Sequence, residues 1–320
     1  MVKYALRYTP LLILALLLIS FRITNGEQQQ PPTSYQTLRT LRPGSVLYSV
    51  AMLSPQSAWA VGGTFTQQHV SNDPQKTGIT LPGAGLILHY TTANGWQPDN
   101  VEQNLTRPLL GVALDSPHDG WAVGYDATFV HYNGNTWSTV AGPQNFNKNV
   151  VSVAALSPID AWAVGYGGAI LHYDGKQWTL VASPTTVDLL SIAMPTAQEG
   201  WAVGEDGTFL HFSHGDWQAS KSPTSNRLNS ITMLSPDEGW AVGDNGTILH
   251  YRNGVWENVY STFNAPASGN LVGIAMNSIR SGWIIGDQHI LTYHEELWTE
   301  QRSSISFSNN KKQSAPISPK

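Results

Sequence analysis

The fold is decided by Leu189–Trp217, which reads LLSIAMPTAQEGWAVGEDGTFLHFSHGDW. It begins with an apolar run, turns at Glu199-Gly200 and continues with the apolar segment Trp201–Gly204. Asp206-Gly207 is typical of a two-residue hairpin turn, because both residues tolerate positive φ angles. The pattern predicts four successive antiparallel strands, with the outermost strand opening at the last tryptophan.

The same pattern occurs six times in the chain. All twelve tryptophans occupy two equivalent positions of the repeat, and at the second position they are 41, 41, 39, 39 and 42 residues apart. A fixed period near forty with two hairpins per unit is typical of a β-propeller. We therefore predict an all-β propeller of six four-stranded blades, or of seven if the termini complete an extra blade. The tryptophans are Trp59, Trp121, Trp162, Trp201, Trp240 and Trp283 at the first position, and Trp96, Trp137, Trp178, Trp217, Trp256 and Trp298 at the second.

The N-terminus does not follow this repeat. In residues 1–26, Lys3 and Arg7 precede an apolar run from Leu11 to Phe21. Basic residues before a short apolar run are typical of a secretory signal. We predict either a cleaved signal peptide or an uncleaved N-terminal anchor formed by residues 4–21. The expected location is extracytoplasmic, either secreted or at the cell surface.

The rest of the chain divides into three parts. Residues 27–42 are expected to form a linker with a ring-closing strand, Tyr35–Thr40, that lies beside the last blade. The propeller itself is predicted to span residues 43–302. Residues 303–320 are rich in Ser, Asn and Pro, so we expect a disordered basic tail.

Charge and cysteine content exclude several classes of function. The chain has no cysteine, so disulfides and thiol catalysis are excluded. Residues 43–300 carry eight Lys and Arg against twenty-one Asp and Glu, a net charge of −13. An acidic body repels phosphate backbones and anionic lipids. We therefore expect a monomer that binds no nucleic acid and touches membranes only through an uncleaved N-terminus.

Five histidines share one position in strand three of blades one to five. Equivalent positions in adjacent packed sheets are on the order of 10 Å apart, which is too far for two residues to share a zinc ion. We expect each histidine to hydrogen-bond within its own blade. The sequence also contains no calcium-loop, P-loop or hydrolase motif, so we predict no metal, no cofactor and no catalytic residue. The histidines are His89, His131, His172, His211 and His250.

Two features depart from the repeat. Blade one carries about twenty extra residues, Gly63–Gly83, between strands two and three, and such an insertion maps to a loop on one face. Arg42, Arg107 and Arg227 lie in or beside connections between blades, which share that face. Three guanidinium groups on one rim predict a site for a partner's carboxylates, although scattered solubilising charges are the alternative.

The repeat unit, with its Ser-Ile-Ala strand, Gly-Trp-Ala-Val-Gly strand and Leu-His-Tyr strand, resembles the photosystem II stability and assembly factor family. That family belongs to the bacterial-neuraminidase-like repeat propellers, and the resemblance covers about residues 43–300. It implies a non-enzymatic scaffold that holds protein partners, partly through an arginine patch. We therefore predict an exported, non-catalytic protein-binding scaffold.

A sialidase-like glycoside hydrolase, or a glycan-binding propeller, is the alternative function. Sialidase chemistry needs a tyrosine nucleophile with a carboxylate partner beside three arginines. Tyr125 and Tyr166, together with Asp126 and Glu205, are the candidates on the loop-bearing face. The same four residues, with the three arginines, are the predicted contacts for a ligand or partner.

Overall fold

A computed structural model describes residues 44–68, 79–259, 269–287, 290–294 and 297–300. These residues form six four-stranded antiparallel sheets arranged as the blades of a propeller, which confirms the predicted fold. The predicted signal, closing strand and basic tail lie outside the described residues. The seven-bladed alternative depends on these termini, so it also falls outside the described part of the chain. In the part of the chain that is described, no helix is long and apolar enough to cross a membrane.

The four strands of each blade follow one another from the inner to the outer edge. Blades one to three consist of β1 (Ser45–Ser54), β2 (Ser57–Gln68), β3 (Ile79–Thr91), β4 (Gly95–Pro98), β5 (Leu109–Ser116), β6 (Asp119–Gly124), β7 (Phe129–Tyr132), β8 (Trp137–Val140), β9 (Val150–Ser157), β10 (Asp160–Gly165), β11 (Ala169–Tyr173) and β12 (Trp178–Val181). Blades four to six consist of β13 (Leu189–Ala193), β14 (Gly200–Gly204), β15 (Phe209–Ser213), β16 (Asp216–Ala219), β17 (Leu228–Ser235), β18 (Glu238–Gly243), β19 (Ile248–Arg252), β20 (Val255–Asn258), β21 (Leu271–Ser278), β22 (Ser281–Gly286), β23 (Ile290–His294) and β24 (Leu297–Glu300).

Adjacent blades pack through their inner strands and through pairs of tryptophans. The inner strands contact one another in succession from β1 through β5, β9, β13 and β17 to β21. In a typical junction, buried Trp201 of β14 meets buried Trp256 of β20 in the next blade. Their ring centroids are 5.5 Å apart at an interplanar angle of 82°. Such edge-to-face contacts fill the wedge-shaped space between diverging sheets.

The junction between blades one and two has a further polar link. The indole N–H groups of Trp59 and Trp137 both donate to Oδ2 of Asp99, at 2.7 and 2.9 Å. An acceptor for a buried indole N–H is stabilising, because an unmade hydrogen bond in an apolar environment costs free energy. Asp99 thus ties two neighbouring blades together through one carboxylate.

The sixth blade departs from this packing. Trp283 is partly exposed, whereas the five equivalent tryptophans are at most 5% exposed. Its cross-strand neighbour is Thr292, where the other blades have histidine. Trp283 belongs to none of the apolar clusters formed by the described residues. The surface of blade six that faces blade one is therefore less covered than the equivalent surface of any other blade.

The turns between strands two and three have the predicted geometry. Asp206 and Gly207 have φ angles of 54° and 67°, as a two-residue turn with positive φ requires. A Cβ on Gly207 would also lie 2.1 Å from the carbonyl oxygen of Thr224. In blade two the same positions hold Asp126 and Ala127, so Ala127 adopts a φ of 54° that favours glycine.

The turn after strand three of blade two differs from its prediction. The sequence predicts a two-residue turn at Asn133-Gly134, but only Gly134 has a positive φ angle. The Asn133 side chain instead accepts hydrogen bonds from the backbone N–H groups of Asn135 and Thr136, both at 3.0 Å. The two turn residues are therefore Gly134 and Asn135, one position later than predicted, and the backbone N–H of Asn133 donates to the carbonyl of Thr136 at 3.2 Å.

Candidate functional site

One end of the ring carries the turns between strands two and three and the connections between blades, and we call it the loop end. At the start of each turn, a backbone N–H donates to the carbonyl that precedes the inner strand of the same blade. Tyr125 donates to Pro108 at 3.0 Å, and Asp244 donates to Arg227 at 2.9 Å. Because this bond recurs, it fixes the first residue of every such turn beside an inner strand. The turns are Tyr125–Ala127, Tyr166–Gly168, Glu205–Gly207 and Asp244–Gly246.

The side chains at this fixed position divide the loop end into two halves. Blades two and three present Tyr125 and Tyr166. Blades four, five and six present carboxylates, and we call Glu205, Asp244 and Asp287 the acidic half. Each of these three residues makes the same backbone bond, to Asp188, Arg227 and Asn270 respectively.

Blade one adds two aromatic side chains to the tyrosine side. Tyr48 lies in β1, next to the shift in strand register between Leu47 and Ser49, and Phe65 lies in β2. The ring of Phe65 is 5.9 Å from that of Tyr48 and 6.0 Å from that of Tyr125, measured between centroids. We call Tyr48, Phe65, Tyr125 and Tyr166 the aromatic cluster. All four side chains are partly exposed.

The tyrosines of the cluster are held neutral. Burial raises the pKa of Tyr48, and the neighbouring phenols of Tyr125 and Tyr166 raise it further. Burial also raises the pKa of Tyr125 and of Tyr166. The three hydroxyl groups therefore keep their protons at any physiological pH, and the rings offer uncharged aromatic surface.

The insertion of blade one stands on the loop end. The sequence predicts a loop here, but its described flanks are paired strands: β2 and β3 pair out to Gln68 and Ile79, with one shift in register between Gly63 and Phe65. Residues 69–78 lie outside the described residues. Phe65 occupies the base of this hairpin, where the backbone N–H of Phe65 donates to the carbonyl of Gly44 at 3.0 Å.

The acidic half is held by polar contacts. Glu205 Oε1 lies 3.3 Å from Arg227 Nε. Burial raises the pKa of Glu205, and the guanidinium of Arg227 opposes this shift. Asp244 Oδ1 accepts a hydrogen bond of 2.8 Å from the Asn229 side chain, which also donates to the carbonyl of Leu271 at 2.8 Å. These contacts orient both carboxylates.

The two described arginines of the predicted site are both in ion pairs. Arg107 Nε lies 2.5 Å from Asp126 Oδ2, with both side chains about half exposed at 44% and 53%. Arg227 is paired with Glu205, so each arginine meets a carboxylate from the predicted set. Arg42 lies outside the described residues. The structure thus brings the described members of the predicted set to one end of the ring, and their role in binding stays a prediction.

Sequence reasoning missed Tyr48, Phe65, Asp244 and Asp287. Tyr48, Asp244 and Asp287 become visible when the six repeats are aligned by position, because Tyr48 stands where four other blades have Leu or Val, and each aspartate directly follows the last glycine of strand two. Phe65 was missed because it lies inside the insertion, which has no counterpart in other blades.

The histidines have structural roles, as predicted. His131 Nε2 lies 2.7 Å from Asp119 Oδ1, and His172 Nε2 lies 2.9 Å from Asp160 Oδ1, each within one blade. His211 and His250 pair in the same way with Glu199 and Glu238, whereas His89 bonds the Ser57 hydroxyl at 3.1 Å. Each ring also packs on the tryptophan of strand two. Within the described ranges, no three His, Asp or Glu side chains are grouped to hold a metal ion.

A shallow cavity of about 150 Å³ lies at the edge of the loop end. It is lined by Leu105 and Thr106 of the connection into blade two, and by Phe129 and Val140 of that blade. Its lining residues include no Asp, Glu, His, Lys or Arg. It therefore offers no acidic or basic side chain for proton transfer.

The fold and the loop end define a six-bladed β-propeller with an aromatic and an acidic half. Its fold is similar to that of YCF48 bound to D1 peptide, with a TM-score of 0.59 and 15% identity over 80% of this chain and 81% of that chain. YCF48 from Cyanidioschyzon merolae is similar with a TM-score of 0.58 and 18% identity, over 81% of this chain and 85% of that chain. The WD40 β-propeller domain of Doa1 has a TM-score of 0.57 at 12% identity, over 80% and 81% of the two chains.

These similarities show a propeller fold like that of the photosystem II assembly factor, as the sequence resemblance implied. No protein-family model matches the chain. No curated protein is significantly similar to it.

Proposed function

We propose that this protein is a non-catalytic scaffold that binds a partner polypeptide at the loop end of its ring. The observation that carries this proposal is the asymmetry of the loop end. The residues that recur in every blade are used in packing and turns, whereas the aromatic cluster and the long hairpin of blade one do not recur. Binding residues concentrate on loops that a rigid scaffold positions.

The similar structures support a polypeptide as the class of partner. One of them, YCF48, is bound to a D1 peptide. At 15% identity the likeness concerns the fold. The aromatic cluster suits such a role, since tyrosine and phenylalanine contribute large contact areas with few side-chain rotations to lose.

The glycoside hydrolase is the weaker candidate. A sialidase would need three arginines converging on an anionic sugar. Among the described residues, Arg107 and Arg227 are engaged by Asp126 and Glu205, the carboxylates that such an enzyme would need beside its tyrosine. The binding function therefore fits the arrangement better.

We further infer that the scaffold acts outside the cytoplasm. The charge and hydropathy pattern of residues 1–26 supports export. Sequencing the N-terminus of the protein recovered from extracytoplasmic fractions tests this. A chain that begins near residue 27 supports export with cleavage, whereas a chain confined to the cytoplasm refutes export.

The binding function can be tested without knowing the partner. A random peptide library of about twelve residues is selected on the purified protein, and affinities are measured by fluorescence anisotropy. We expect Tyr166→Ser to weaken binding by about tenfold, as loss of an aromatic contact residue typically does. Ile159→Ser is the matched control, because Ile159 is 67% exposed in the turn between β9 and β10, at the opposite end of the same blade.

Three results decide the matter. Loss with Tyr166→Ser and no loss with Ile159→Ser supports the proposed function. Failure to select any peptide, or selection of peptides that bind both variants equally well, contradicts binding at the loop end.

A further inference from the structure

We propose that the loop end selects polypeptide segments that carry Lys or Arg, and that the cationic group sits between the aromatic cluster and the acidic half. This inference rests on the proposed function, because it specifies the chemistry of the segment that the loop end binds. It rests on the juxtaposition of two different surfaces on consecutive blades, and neither surface carries it alone.

The aromatic cluster supplies the first requirement. Tyr48 and Tyr125 flank Phe65, with ring centroids within 6.0 Å of it, and these side chains are partly exposed. A cation over the face of an aromatic ring is attracted by the ring quadrupole, and the attraction strengthens where water is partly excluded. The aliphatic stem of Lys or Arg can also pack on such rings.

The acidic half supplies the second requirement. Glu205, Asp244 and Asp287 follow the tyrosines around the ring, at the position that the recurring backbone hydrogen bond fixes. Glu205 is paired with Arg227, so Asp244 and Asp287 are the carboxylates of this half that we expect to receive the cation. Asn229 donates to Asp244 Oδ1 and holds that carboxylate in place. A fixed carboxylate forms a charge-assisted hydrogen bond with an incoming ammonium or guanidinium group at little cost in side-chain entropy.

The remaining charges favour a cationic segment over an anionic one. Among the described cations at this end, Arg107 and Arg227 are each paired with a carboxylate, whereas Lys148, which donates to the carbonyl of Gly167 at 3.5 Å, and Lys221 are exposed. Residues 43–300 carry a net charge of −13, so the field of the body attracts cations and repels anions. An arginine patch is expected to bind carboxylates, whereas we expect this end to bind cations.

The test uses peptides selected on the full chain in the experiment above. In each, Lys or Arg is replaced by Gln, and binding is measured at 50 and 200 mM NaCl. We expect every strong peptide to contain Lys or Arg, the Gln peptides to bind about tenfold more weakly, and the higher salt to weaken only the parent peptides.

A pair of protein variants from one blade gives the matched comparison. Asp244→Asn keeps the size of the side chain and an oxygen for Asn229, so the fold is retained while the charge is lost. Asp237→Asn removes the same charge from the exposed turn between β17 and β18, at the opposite end of the blade. We expect at least about fivefold weaker binding for Asp244→Asn and unchanged binding for Asp237→Asn.

The outcomes separate the two proposals. Selected peptides without Lys or Arg, or equal affinities for the Asp244→Asn and Asp237→Asn variants, overturn the cation preference. If Tyr166→Ser still weakens such peptides, the proposed function stands. If no peptide is selected, both proposals fail.

Discussion

Replacing a junction tryptophan by alanine should be much more destabilising in blade five than in blade six. Trp240 is 1% exposed, stacks on His250 at 3.8 Å and meets Trp298 edge-on at 5.6 Å. A buried indole covers about 200 Å², and at about 25 cal/mol per Å² this is worth about 5 kcal/mol as an upper bound. We expect Trp240→Ala to lower the free energy of unfolding by about 3–5 kcal/mol.

Trp283 occupies the equivalent position in blade six but is partly exposed. It makes no ring contact within the described part of the chain, so Trp283→Ala should lower the free energy of unfolding by about 1–2 kcal/mol. Urea unfolding followed by far-UV circular dichroism compares the two variants, provided that their m values agree. Equal losses would refute the reasoning, because Trp283 would then have to be covered as fully as Trp240.

Four further variants test the local interactions. Gly207→Ala should destabilise the protein by about 1–3 kcal/mol, whereas Ala127→Gly should stabilise it by about 1 kcal/mol, because only glycine tolerates these positive φ angles without strain. Thermal unfolding midpoints that shift in the same direction for both variants would contradict this. Asp99→Ala should cost about 2 kcal/mol, since it removes the acceptor of two indole N–H groups, and an unchanged unfolding midpoint would show that water replaces it. Burial lowers the pKa of His89, so the folded protein loses stability as the pH falls below about 6.5, where the unfolded chain takes up the proton. Ser57→Asp gives His89 the carboxylate that the equivalent histidines have in four other blades. We expect this variant to raise the pKa of His89 in an NMR titration and to reduce the loss of stability at low pH. An unchanged titration of His89 would argue against this reasoning.

The fold was predictable because its signals are local and repeated. Asp206-Gly207 specifies a tight turn through φ angles alone, and the tryptophans mark each blade at nearly constant spacing. Six agreeing copies of one pattern outweigh the ambiguity of a single apolar run. The exception at Asn133-Gly134 arose because the same residue pair can serve two turn geometries, and side-chain hydrogen bonding decided between them.

The candidate site was predictable only in part. Strand order alone predicts that the arginines and the insertion lie at the same end of the ring. Counting strands was therefore sufficient to place Arg107 and Arg227. Their pairing with Asp126 and Glu205 could not be predicted, because it depends on side-chain distances across a turn. The approach of Phe65 to Tyr125 joins different blades and depends on the packing of the ring.

The rigidity of the ring matters for the proposed binding. The aromatic cluster is built on β1, β2 and two tight turns whose first residues are held by backbone hydrogen bonds. Side chains on such elements lose little conformational freedom when a partner binds. We therefore expect binding to depend on the side chains at the loop end, with little rearrangement of the blades.

The most direct test of the account is a hydrogen-exchange footprint of a selected peptide on the full chain. We predict slower exchange at the Tyr125–Ala127 and Tyr166–Gly168 turns and in β2 near Phe65, with no change in the turns at the opposite end of the ring. The backbone amides of Gly134 and Asp237 report on that opposite end. Protection there, or along the outer strands, with none at the tyrosine turns would contradict the central claim.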